Sequence, residues 1–202
     1  MRLKKLLLTG FEPFLDYTVN PTMKIVEELD GTTVGNYRIV GKIMAVDFNS
    51  SGAALLHFIK GEDPDAVISL GLAAGRYKIT PERIAINVKD GAVDNEGHKP
   101  VDEPIREEEE PAYLSTLPIR KMIDSLLAHG LPADISNTAG AYLCNNVMYE
   151  GLRYAKKHKP DLPTGFIHIP ASHELAIQHG RIPSWSHEDL LRGTRICIEA
   201  LD

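Results

Sequence analysis

The residues of this 202-residue chain best suited to do chemistry are a cysteine, a histidine and a glutamate. Cys144 stands in NTAGAYLCNN, residues 137–146, about one turn into a helix-like segment that follows a Ser-Asn-Thr-Ala-Gly turn. The first turn of a helix presents unpaired N–H groups and the positive end of the helix dipole, which favour an anion such as a thiolate. Cysteine is also a common filler of buried space, and Cys197 in TRICIEAL, with no glycine turn beside it, fits that description better. A cysteine nucleophile needs a base, and the base needs an orienting group. His168, in GFIHIP, lies near the carboxyl end of an apolar strand-like run, where open α/β sheets keep their functional side chains. The other histidines, His57, His98, His129, His158, His173, His179 and His187, fall on or beside amphipathic segments or in polar loops. Glu82, in GRYKITPERIAIN, is a carboxylate at the mouth of another apolar strand and follows Pro81. Each residue has a plainer reading: a core histidine satisfied by a hydrogen bond, or a solvated glutamate bridged to Arg83.

Strand-like and helix-like runs alternate along the chain, the pattern of a βαβ sheet covered on both faces. Strands are expected at 5–10, 37–46, 65–72, 83–88, 133–136 and 164–170. Helices are expected after Asn20, with Pro21 in the first helical position, and after Asn49 or Ser50. Further helices are expected at 117–130, at 141–158 and from about Ser186 to Ala200. The stretch 90–116 has little periodicity, contains Glu107–Glu110 and reads as a loop or arm with a solvated acidic surface. The fold class is therefore α/β, one domain over 1–202, with a mixed, mainly parallel twisted sheet and helices on both faces.

Composition narrows the function. With 43% hydrophobic and 25% charged residues and a formal net charge of -6, the chain has an ordinary globular composition and no apolar run long enough to span a bilayer. The acidic balance speaks against nucleic acid or an anionic membrane as the main partner. In MRLKKLLLTGFEPF the apolar run is too short for a secretion signal and no small-residue cleavage site follows, so a cytoplasmic location is expected. Two cysteines make no disulfide framework, and neither CxxC nor a zinc-spaced Cys/His cluster occurs.

Five ordered segments, LLTGFEPF with NPT, GLAAGR leading to ITPERIAIN, DNEG, SNTAGAYLCN and GFIHIP, resemble the pyroglutamyl peptidase I family of cysteine peptidases over roughly residues 5–170. The resemblance implies removal of an N-terminal pyroglutamyl residue from peptides by a Glu82, Cys144, His168 triad through an acyl-enzyme, with no metal and no cofactor. It also implies that Phe11 and Phe14 clamp the lactam ring, with Asn20, Tyr142 and Leu143 in the same pocket, although Asn20 has a second role as a helix cap. The partners it implies are pyroglutamyl peptides and further copies of the chain, since members often form homotetramers.

One segment departs from the family. Many members read Asp/Glu-Ala-Arg-Ile-Pro-Asp-Asn-Glu-Gly where this chain has KDGAVDNEG, one residue shorter and without the arginine and proline. Arg76 of GLAAGR is not an evident substitute. Two other readings compete: a small-molecule enzyme of the nucleoside phosphorylase kind, with GLAAGR binding phosphate, and a non-catalytic binding protein on the same fold.

Overall fold

Apolar side chains alternate along the central strands, and this alternation assigns each helix to one face of a single sheet. The computed structural model describes residues 3–202; Met1 and Arg2, the start of the basic segment considered above, lie outside the described residues. In chain order the elements are β1 (Lys4–Phe11), α1 (Pro21–Leu29), β2 (Thr33–Val34), β3 (Tyr37–Met44), α2 (Ser51–Glu62), β4 (Ala66–Leu72), β5 (Thr80–Pro81) and β6 (Ile84–Ile86). They continue with β7 (Ala112–Leu114), α3 (Ile119–Ala128), α4 (Leu143–His158), β8 (Thr164–Ile169), β9 (Ala171–Ser172), α5 (His173–His179), β10 (Ser184–Trp185) and α6 (His187–Glu199).

The main sheet has the order β2-β3-β1-β4-β8-β5. The inner four strands run parallel, and β2 and β5 are antiparallel edges. Leu6, Leu8, Ile68, Leu70, Ile167 and Ile169 point to the face covered by α1, α3 and α6. Leu7, Val67 and Phe166, one residue out of phase, point to α2 and α4. The sheet is thus mixed and mainly parallel with helices on both faces, as expected.

Local chemistry sets the helix starts. Asn20 caps α1 by accepting from the Thr22 N–H at 3.1 Å, with Pro21 following, and Ser172 and Ser186 cap α5 and α6 in the same way. Helix α4 has no side-chain cap: Tyr142 occupies that position and satisfies none of the first N–H groups.

Four expectations need correction. The strand expected at 83–88 contracts to β6 and leaves the main sheet, because its partner is β7, which lies inside the stretch read as a loop. The strand expected at 133–136 is reduced to isolated bridges, Ile79 to Ala133 and Glu82 to Ser136. The segment 171–185, to which no element was assigned, holds β9, α5 and β10. The acidic run is only partly a solvated surface: Glu109 pairs with Arg153 and Lys157, and Glu110 with Lys156, so the run straps the arm to α4.

Candidate active site

His168 is the penultimate residue of β8, buried at 5% exposure, and the antiparallel edge strand β5 brings Glu82 to it. Thr80 and Pro81 pair with His168 and Ile167, and the Glu82 N–H donates to the Phe166 carbonyl at 2.9 Å. The carboxylate then lies with Oε1 2.7 Å from His168 Nδ1. Glu82 is fully buried, not solvated, and its cationic neighbour is Arg76, whose Nη1 is 2.6 Å from Oε1; the adjacent Arg83 is exposed. Burial works against the carboxylate charge, but the hydrogen bond and charge of His168, and then Ser136 and Arg76, hold its pKa below the usual value.

Cys144 reaches the imidazole from the opposite element, the first turn of α4, and is partly exposed. Burial alone would strip the proton from His168; the charge and hydrogen bond of Cys144, followed by those of Glu82, outweigh it and raise the histidine to about 9. With Nδ1 engaged by Glu82, Nε2 is the ring nitrogen left for the sulfur. Cys197 is different: it is fully buried in the α6 core, where burial pushes its thiol up to about 12.

The five residues assigned to a substrate pocket come together. Phe11, Phe14, Asn20, Tyr142 and Leu143 line one cleft with Cys144, Val46 and Leu72. Phe11 is buried and packs on Phe166, whereas Phe14 is half-buried and faces Tyr17 and Tyr142. The Asn20 amide is engaged at both ends, donating to the Glu12 carbonyl at 3.1 Å and accepting from Thr22, so it acts as a helix cap and a loop tie within the cleft wall. Burial, then the charges of Asp94 and Cys144, raise the Tyr142 phenol to about 12; its hydroxyl donates to the Val93 carbonyl at 3.1 Å.

Several residues that hold this site escaped the sequence reading. Gly71 lies in β4 opposite His168, and a Cβ there would come within 2.9 Å of Cys144 Sγ. Asn145, next to Cys144 and fully buried, binds the backbone of β6 and of the residues just after it through Ile86 N–H, Ile86 C=O and Val88 C=O at 2.8–2.9 Å. Asn95 of DNEG donates to Glu12 Oε1 at 2.9 Å and to the Pro13 carbonyl at 3.0 Å, tying that motif to the loop that carries Phe11 and Phe14. The DNEG motif was the available signal, but its target was not legible.

The segment that departs from the family lies against the start of α4. The Asp90 N–H donates to the Ala141 carbonyl at 2.9 Å, and a Cβ on Gly91 would come within 3.0 Å of the Tyr142 ring. Lys89, the cation of this segment, pairs with Glu103 at 3.1 Å. Arg76 does not stand in for the absent arginine. Its guanidinium is committed to Glu82, to Thr80 Oγ1 at 2.6 Å and to the Thr138 carbonyl at 3.2 Å, which also removes the basis for reading GLAAGR as a phosphate loop. Among the described residues no three His, Cys, Asp or Glu side chains cluster so as to hold a metal ion, and no helix is long and apolar enough to cross a membrane.

The sequence model of the pyroglutamyl peptidase family matches residues 4–202. A pyrrolidone-carboxylate peptidase of Lysinibacillus sphaericus is 61% identical over 195 residues, covering 96% of this chain and 95% of that protein. One from Oceanobacillus iheyensis is 53% identical over 200 residues, covering 99% of this chain and all (100%) of its own. Among solved structures, a mutant pyrrolidone carboxyl peptidase from Pyrococcus furiosus superposes with a TM-score of 0.94 at 41% identity, over 98% of this chain and 97% of its own. Pyroglutamyl peptidase I of Bacillus amyloliquefaciens does so with a TM-score of 0.94 at 38% identity, over 98% and 96%.

Proposed function

The chain belongs to the pyroglutamyl peptidase family and removes an N-terminal pyroglutamyl residue from peptides; we propose that it does so by attack of Cys144, with His168 as base and Glu82 as the group that orients His168. The observation that carries this reading is the 2.7 Å contact between His168 Nδ1 and Glu82 Oε1, which leaves Nε2 to the cysteine at the mouth of α4. Sulfur bonds to the pyroglutamyl carbonyl carbon while His168 Nε2 holds the proton that the thiol gives up. The imidazolium then delivers that proton to the peptide amine as the C–N bond breaks. Water attacks the remaining thioester with His168 again as base, releasing pyroglutamate and restoring the thiol. Charge that develops on the carbonyl oxygen meets the first N–H groups of α4, which no side chain caps.

The cleft of Phe11, Phe14, Val46, Leu72 and Tyr142 suits a compact uncharged ring. An open N-terminal glutamine would bring an unpaired ammonium into it, so discrimination of about a thousandfold or more is expected. The working form we propose is a cytoplasmic homo-oligomer, a tetramer by resemblance. Both cysteines are free, and Ile177, Leu114 and Tyr77 stand exposed at 85%, 64% and 62%. The decisive experiment is hydrolysis of a fluorogenic pyroglutamyl amide beside its glutaminyl analogue, before and after alkylation of Cys144. Comparable rates on the two amides, or activity that survives stoichiometric alkylation, would sink the proposal.

A further inference from the structure

Glu82 Oε1 receives two donors, His168 Nδ1 at 2.7 Å and Arg76 Nη1 at 2.6 Å, while Oε2, equally buried, receives none. The Ser136 hydroxyl lies beside the carboxylate but donates to the Thr138 carbonyl at 3.0 Å. The carboxylate therefore has one titratable partner and one permanent one. His168 passes through a neutral state in each turnover, after it has given its proton to the leaving amine, and in that state Arg76 is the one cation touching Glu82 among the described residues. A buried carboxylate without a cation takes up a proton. Once protonated, Glu82 would donate to Nδ1 and force the imidazole proton onto Nε2, the nitrogen that must act as base on water.

We infer that Arg76 is a positioning residue of the reaction: it keeps Glu82 ionised while His168 is neutral, and so fixes the tautomer in which Nε2 is free. The inference rests on the triad reading above. Arg76 is itself held in place. Its Nη1 also donates to Thr80 Oγ1, whose residue is the register partner of His168, and its Nη2 donates to the Thr138 carbonyl in the turn before α4. One guanidinium thus joins the edge strand that carries Glu82 to the turn that leads to Cys144. The groups that face Glu82 are His168 from β8, Arg76 from the β4–β5 connection and the Ser136 hydroxyl, with Cys144 of α4 acting through the imidazole.

The test is the pH dependence of kcat for a pyroglutamyl amide, which reads the enzyme after substrate has bound, together with the Glu82 carboxyl titration followed by ¹³C NMR. The enzymes compared are the wild type, Arg76→Gln, Arg76→Lys and a neighbouring control, Lys78→Ala, whose partner is the exposed Asp134 at 3.3 Å. Arg76→Gln should move both the acid limb and the carboxyl titration up by about one pH unit or more, Arg76→Lys by less than half of that, and Lys78→Ala by nothing measurable. Acid limb and carboxyl titration within about 0.3 unit of wild type in Arg76→Gln would overturn the inference. If Arg76→Gln does not fold, Thr80→Val removes one bond from the guanidinium and should give a smaller upward shift; no shift there overturns it equally. An inactive Cys144→Ala combined with an unmoved limb leaves the triad standing and removes only the role of Arg76, whereas an active Cys144→Ala removes both.

Discussion

Gly71 and His168 are register partners across β4 and β8, and the side chain that Gly71 lacks leaves the space beside the Cys144 sulfur. A Cβ there would lie 2.5 Å from Phe166 Cε1 as well as 2.9 Å from Sγ. Both neighbours are fixed, one by the core and one by the helix start. Gly71→Ala should therefore lower kcat by more than tenfold and destabilise by about 1–3 kcal/mol, the usual range for overpacking. Steady-state kinetics and urea midpoints on the same preparation check both; unchanged kcat would mean that the sulfur has room elsewhere.

Alkylation should separate the two cysteines. Iodoacetamide at pH 8 should modify the partly exposed Cys144 with loss of activity proportional to labelling, while Cys197, buried with its thiol pushed up to about 12, stays unlabelled until the protein unfolds. Peptide mapping during inactivation reads this directly. Cys197→Ser should retain turnover and lose some stability through the buried hydroxyl; early labelling at Cys197 that tracks inactivation would reverse the assignment.

The His168–Glu82 pair predicts opposite dependences on pH. His168, raised to about 9 from an ordinary 6.5, binds its proton more tightly when folded, so the stability it contributes is fully present below about 6.5 and is lost as pH rises through about 9. Glu82 is lowered, so its contribution is present above the ordinary carboxylate range and is lost as pH falls through its folded value. The gap in urea midpoint between wild type and His168→Gln should be larger at pH 6 than at pH 9.5, and kcat/KM should fall above about pH 9. A gap that widens with pH would contradict the sign.

Phe11 and Phe14, equivalent when read from GFEPF, part company in the structure. Phe11→Ala should cost about 3–5 kcal/mol, because the ring is buried against Phe166. Phe14→Ala, half-buried, should destabilise much less and raise KM for pyroglutamyl amides more than it lowers kcat, since a ring clamp acts on ground state and transition state alike. Thermal melts and Michaelis curves for both variants decide; the reverse ranking would place Phe14 outside the substrate cleft.

What the sequence disclosed, and what it withheld, follows from the range of the interactions. The alternation of Leu6, Leu7 and Leu8 and the period of the 141–158 helix are local, and they place His168 at a strand end and Cys144 at a helix mouth. Glu82 lies 86 residues from the histidine it binds, and it arrives there on a two-residue antiparallel edge strand that no periodicity announces. Local sequence leaves its burial open, and it does not reveal that the second cation on the carboxylate is Arg76 and not the adjacent Arg83. Gly71 was illegible for another reason: a glycine in a fully buried strand looks the same whether it makes room for a neighbouring ring or for a reactive sulfur.

The bare start of α4 has a bearing on protein engineering. A helix that begins without a side-chain cap forgoes about 1 kcal/mol relative to a capped one; in this molecule α1, α5 and α6 carry such caps, and α2, α3 and α4 do not. A stabilisation campaign that scored helix ends would rank Tyr142 high for replacement. On the mechanism proposed above, a cap there would occupy the very amides that receive the carbonyl oxygen of the substrate. On the proposed mechanism, the thermostability this fold can gain at that helix end and the rate enhancement it delivers draw on the same few N–H groups, so raising one there lowers the other.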